Sequence, residues 1–151
     1  MLLASGICPT LALQQAGCPV GLAVDGSASN DCSNMAQEMR QALLQQRLRY
    51  ITAEYALTMA TKGSASLFRR TDIGEIVIGK QADLALFSLD ELRFSVIGDP
   101  MAALVTCRVH QVDKLMVAGQ WVIENGQHHA ISARELMMKQ KRLATKLQGA
   151  Y

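Results

Sequence analysis

The side chains of this chain that could do acid–base or metal chemistry are few and far apart. Asp25 ends the apolar run Val20 to Val24 and opens a loop of Gly, Ser, Ala and Asn in "VGLAVDGSASND", residues 20–31. A carboxylate at such a junction can start a turn, cap a helix or exchange protons with a substrate. The three histidines, His110, His128 and His129, form no H-x-H or H-E-x-x-H pattern. The four cysteines, Cys8, Cys18, Cys32 and Cys107, contain no C-x-x-C pair. These spacings argue against a zinc knuckle, a redox motif or a disulfide framework, and the chain is not expected to supply a usual zinc site by itself. Each cysteine is expected as a reduced thiol packed as a small hydrophobe. His128-His129 reads as a solvated pair, with capture of a stray metal as the alternative. Asp83 reads as a turn or strand-edge residue.

The elements that must position Asp25 are legible on both sides of it. Pro9 to Ala16 predicts a short helix with Pro in its first turn, and Gly17 stands where a left-handed residue ends one. The continuous apolar run at 20–24 predicts a strand buried on both faces of a parallel sheet, with Asp25 at its C-terminal end. Ser33 or Asn34 is the expected cap of a helix reaching about Tyr50, with Met35, Met39, Ala42, Leu43 and Leu48 near helical spacing. A second helix is expected from Thr52 to Thr61, stopping at Gly63, with a short piece at Ser64 to Phe68.

From residue 71 the pattern changes. Gly74 to Phe87 reads as two short strands around a Gly79-Lys80 turn. A helical turn follows Pro100, and Ala118-Gly119 joins strands at Val112–Val117 and Gln120–Glu124 as a tight hairpin. Asn125-Gly126 marks another turn. Ser132 and Glu135 form a capping box that opens a last helix. Its Lys139, Lys141, Arg142 and Lys146 complement the helix dipole or meet an anionic partner, and Met137 and Met138 are expected as core filler.

Half of the 151 residues are hydrophobic and 19% are charged, which suits a globular chain with a real core. A net charge of +2 leaves no basic footprint for nucleic acid. The apolar stretches are too short for a membrane span, and Met1 to Gly6 lacks the pattern of a signal peptide, so a cytoplasmic place is expected. A lone parallel strand needs partners on both edges, so the chain reads as incomplete on its N-terminal side.

Four stretches, "GLAVDGSASND", "ALTMATKGSASLF", "IGEIVIGKQADLALF" and "VDKLMVAGQWVIENG", together resemble the C-terminal third of the amidohydrolase superfamily. They are most similar to its branch of 8-oxoguanine deaminases, hydroxyatrazine-type triazine hydrolases and related chlorohydrolases. The resemblance runs from about Leu3 to Gly126, and the ordered G-x-I-x-x-G-K-x-A-D-L-x-L-F run is its most specific part. It implies an α/β fold: the last strand and helices of a (β/α)₈ barrel over 1–70, part of a small β-sandwich domain over 71–130, and a C-terminal helix over 131–151. It also implies a metal, zinc or iron, held by histidines of the barrel strands and an Asp on strand eight, the position that Asp25 matches. The histidine ligands have no counterpart here. The chain is therefore expected to resemble a truncated or split frame, or a deliberate fragment, that binds no metal alone.

On that resemblance Asp25 is a metal-side general base and metal ligand in a hydrolase acting on non-peptide carbon–nitrogen bonds, a deaminase of purine or triazine rings. Ser27, Ser29, Asn30 and Asp31 face the ring substrate or, alternatively, form an Asx-type turn and helix cap. A different reading makes the chain a non-catalytic remnant, stable only by self-association or with an upstream barrel segment. A small-molecule binding module using the β part alone is the third.

Overall fold

In the computed structural model, the described residues are 6–26, 29–30, 32–49, 51–107 and 109–149. Helix α1 covers Thr10–Gln15 behind Pro9, and Gly17 follows it at φ +81° as a left-handed terminator. Helix α2 covers Met35–Gln46 and runs into a 3₁₀ turn at Arg47–Arg49. Its cap is Asn34, whose side chain accepts the amide protons of Ala36 and Gln37. Helix α3 (Ala53–Thr58) is capped by Thr52, and Pro100 opens helix α5 (Pro100–Thr106) behind the Asp99 cap.

The helix begun at Thr52 does not stop at Gly63 as its sequence suggests. It passes through a π turn, Met59–Gly63, straight into α4, Ser64–Leu67. Gly63 is helical there, and its missing side chain serves packing: a Cβ would stand 2.3 Å from the carbonyl oxygen of Val20. The glycine marks a close approach of two backbones and not a chain break.

The expected strand at 20–24 is not formed. Among the described residues this stretch has no strand beside it, so its backbone finds other partners: Leu22 donates its amide proton to the Met59 carbonyl at 3.2 Å. The run is half-buried at most positions and not covered on two faces, because an isolated parallel strand has no ladder to join.

Among the described residues the sheet is four-stranded and antiparallel, in the order β1-β2-β3-β4. Strand β1 is Leu84–Leu86, β2 Lys114–Val117, β3 Gln120–Glu124 and β4 Gln127–His128. Ala118 (φ +50°) with Gly119 (φ +79°), and Asn125 (φ +51°) with Gly126 (φ +69°), make the paired left-handed residues of two-residue hairpins. Of the two strands expected within 74–87, only β1 forms. The Ile76-Val77-Ile78 run lies outside the sheet and exposed. Asp83 is structural, as expected: its carboxylate accepts the Ala118 amide proton at 2.7 Å and ties β1 to the β2–β3 hairpin.

Among the described residues two clusters form the core. Ala36, Met39, Leu43, Ile51, Ala56 and Val105 join α2, α3 and α5, with Leu22 packed against them. Phe94, Ala103 and Val109 make the second, under Phe87 and Leu89. Helix α5 contributes to both, Val105 to one and Ala103 to the other, so it joins the two clusters. Helix α6, Ala133–Gln148, starts at the Ser132 cap as expected but buries none of its residues. Met137 and Met138 are therefore not core filler; both are about half exposed, at 50% and 51%. The cysteines are free thiols, but Cys8, Cys18 and Cys32 are exposed and not packed, and Cys107 is half-buried.

Candidate functional site

Asp25 stands at the end of the segment docked on the π turn, exposed, with φ +59°. A left-handed backbone is uncommon outside glycine, and Asp is among the few residues that tolerate it through local hydrogen bonds. Those bonds are present: the Gly26 amide donates to Oδ1 at 2.7 Å and the Ser29 hydroxyl to Oδ2 at 2.8 Å. The Ser29 hydroxyl, and after it the Gly26 amide, hold the Asp25 carboxyl below the usual carboxylate range, against a smaller desolvation effect. Both donors favour the charged form, so Asp25 is an ionised, solvent-facing carboxylate with a fixed orientation.

The loop after it folds back on itself. The amides of Ser29 and Asn30 both donate to the Gly26 carbonyl, at 2.9 and 3.0 Å. Asn30 has little capacity left for a ligand: its Oδ1 accepts from the amides of Cys32 and Ser33, and its Nδ2 donates to Glu38 of α2 at 2.8 Å. These contacts are those of an Asx-type turn anchored to a helix, with Asn34 as the cap. Of the sequence candidates, the structure brings Ser29 onto Asp25, sets Asn30 in the turn, and leaves Ser27 and Asp31 outside the described residues. Glu38 escaped the sequence reading. Its position four residues after the Asn34 cap marks an acidic first turn, but nothing in the spacing points to Asn30.

The histidines lie elsewhere. His128 Nδ1 accepts the amides of Ala130 and Ile131 at 3.0 and 3.1 Å, and His129 Nε2 stands 3.0 Å from Glu124. The pair is thus occupied by its own hairpin. His110 lines a cavity of about 270 Å³ with Glu91, Arg93 and Asp113 on the sheet side of the molecule. Among the described residues no three His, Cys, Asp or Glu side chains come together to hold a metal ion. Asp25 can offer one ligand, and a zinc site needs three or four, so the donors present do not make the site that the resemblance implies.

Comparison with known proteins gives this geometry its family. The chain is 54% identical to the 8-oxoguanine deaminase of Pseudomonas aeruginosa over 151 residues, 97% of this chain and 34% of that protein. A zinc-bound adenosine deaminase from Xanthomonas campestris superposes with a TM-score of 0.89 at 29% identity, over 97% of this chain and 35% of that one. Zinc-complexed atrazine chlorohydrolase from Arthrobacter aurescens TC1 does so with a TM-score of 0.81 at 29% identity, over 91% and 32%. The chain thus spans about a third of the length of the relatives it matches. Its α/β fold is that of the corresponding third of these enzymes. With residues 1–122 matching the amidohydrolase family, the chain belongs to that family.

Proposed function

We propose that this chain is the part of a metal-dependent aminohydrolase that carries its proton-transferring carboxylate, in an enzyme that deaminates a purine or triazine ring. The 54% identity to an 8-oxoguanine deaminase across nearly the whole chain is the observation that supports this most strongly. On this reading residues 1–70 end a (β/α)₈ barrel, 71–130 belong to the small β-sandwich domain and 131–151 form the closing helix. Zinc, or iron, is then held chiefly by residues outside these 151, and the place of work is the cytoplasm. The self-association or upstream segment expected from the sequence completes the site.

Asp25 suits the task by geometry. Hydrolytic deamination adds water to the ring carbon that bears the amino group and releases ammonia, leaving a carbonyl. One group must take a proton from the water and return one to the departing nitrogen. An exposed, ionised carboxylate of fixed direction can accept the first proton on a lone pair that its two donors leave free. Ser29 then orients Asp25, and direct contact of Ser27, Ser29 or Asn30 with the ring would require Ser29 and Asn30 to give up the partners they have.

A second reading has its own support. Ile76, Ile78 and Leu48 are almost fully exposed, which suits a non-catalytic remnant that is stable only against a partner. One experiment separates the two. The chain is joined to the remaining two thirds of the Pseudomonas aeruginosa deaminase, and ammonia release is followed on 8-oxoguanine, guanine and aminotriazines. Turnover that depends on Asp25 is the expected result. A folded, metal-loaded chimera that releases no ammonia from any of them favours the remnant.

A further inference from the structure

The π turn at Met59–Gly63 is the one irregularity in an otherwise continuous helix, and it lies against the segment that leads to Asp25. Such a turn widens the helix by one residue, shifts a carbonyl from its usual partner and is frequent at functional sites. Here the Met59 carbonyl accepts the Ser64 amide, five residues on, and also the Leu22 amide at 3.2 Å. The Ser64 hydroxyl donates to the Leu22 carbonyl at 2.8 Å and lies 3.0 Å from the Met59 oxygen. Both backbone polar groups of Leu22 are thereby paired with the turn, in place of a strand ladder.

The fit leaves no room for side chains. A Cβ on Gly63 would meet the Val20 oxygen at 2.3 Å, and one on Gly21 would meet the Ser64 backbone at 2.8 Å. Leu22 is further fixed by packing against the first core cluster. Asp25 follows three residues later, after a stretch with no other partner of this kind among the described residues.

We propose that Ser64, acting with the Met59 carbonyl, is a positioning residue for Asp25: by holding both polar groups of Leu22 it sets where the carboxylate stands. This rests on Asp25 being the proton-transferring group of the proposed reaction. Ser64 touches no reacting atom, so its effect reaches the chemistry only through the chain between Leu22 and Asp25.

The test uses Ser64→Ala, Ser64→Thr and Asp25→Asn, first in the 151-residue chain and then in the chimera with the Pseudomonas aeruginosa deaminase. In the chain, Ser64→Ala should speed hydrogen exchange at the Leu22 amide about five-fold, the scale of one lost hydrogen bond, while Ser64→Thr keeps it slow. In the chimera, Ser64→Ala should lower kcat about ten-fold or more, since small misplacements of a reacting group are costly. KM should stay within about two-fold, and Ser64→Thr, which keeps the hydroxyl, should recover most of the rate. The proposal is overturned if Asp25→Asn abolishes turnover while Ser64→Ala keeps kcat within about two-fold of the parent. If Asp25→Asn itself leaves turnover intact, the assignment of Asp25 has failed, and the positioning role falls with it.

Discussion

At the scale of single residues, Asp25 joins a left-handed turn to an exposed carboxylate, so turn and chemistry have to be told apart by experiment. Its backbone is left-handed, and both of its carboxylate oxygens accept hydrogen bonds from groups within four residues. In the chimera, Asp25→Asn keeps the shape but loses the basic oxygen, and turnover should fall roughly 10²- to 10⁴-fold, with little change in melting temperature. A fall in melting temperature with activity preserved would make Asp25 a turn residue. The same bonds set its titration. Because the folded carboxyl is held below its ordinary value of 3.8, its contribution to stability is present above that pH and is lost as pH falls through the folded value. Carbon-13 titration of the chain alone should place the Asp25 midpoint below 3.8, and Ser29→Ala should move it upward, since Ser29 is the largest cause of the depression. An unmoved midpoint in Ser29→Ala would remove the hydroxyl from the account. "VDGSASND" shows in sequence that a carboxylate sits at a junction. It does not show which hydroxyl turns back to it, because Ser27, Ser29 and Ser33 are equivalent until the loop closes on the Gly26 carbonyl.

Among the elements, caps and turns were legible and partners were not. Asn34, one of two residues expected as a cap, and Ser132 cap helices, and Ala118-Gly119 and Asn125-Gly126 close hairpins, because these signals are local and act within a few residues. The strand at 20–24 failed because strand formation depends on a neighbour, which no window of sequence contains. Gly63 failed for a related reason: a glycine that ends a helix and one that admits a carbonyl oxygen look alike in sequence. Gly63→Ala should therefore destabilise by about 1–3 kcal/mol, the range for overpacking, because its Cβ would press on the Val20 carbonyl. Urea denaturation measures the loss, and an unchanged midpoint would mean that the close approach is not tight. Glu75 supplies the other link across elements. It takes Lys62 of the π turn at 2.6 Å on one oxygen and Lys80 at 2.5 Å on the other, and those lysines hold its carboxyl down at about 2. The stabilisation is thus complete above the ordinary value of 4.5 and lost as pH falls from there toward about 2. The gap in melting temperature between the parent and Glu75→Gln should close over that window and shrink in high salt. A gap that is constant with pH would mean that the ion pairs are idle.

For the molecule as a whole, the two core clusters leave much apolar surface outside them. Ile76 and Ile78 are 88% and 104% exposed in a stretch that the sequence marks as a strand, and helix α6 buries none of its residues although Leu136, Leu143 and Leu147 lie on it. An amphipathic helix draws most of its stability from packing its apolar face, and an apolar run with unpaired backbone groups recruits another edge. The relatives that this chain matches are about three times its length, so surfaces of this kind are those a larger protein would cover. The 151-residue chain by itself should consequently self-associate at tens of micromolar, a concentration that reports weak contacts. Light scattering should give a mass above 16.4 kDa, and Ile76→Lys with Ile78→Lys should move it toward the monomer by placing charge on the open run. The chimera should show no such dependence on concentration if its added two thirds cover the same run. If the parent chain is a monomer throughout, exposure of the 76–78 run is no driver of association, and the reading as a piece that requires a partner loses its main support.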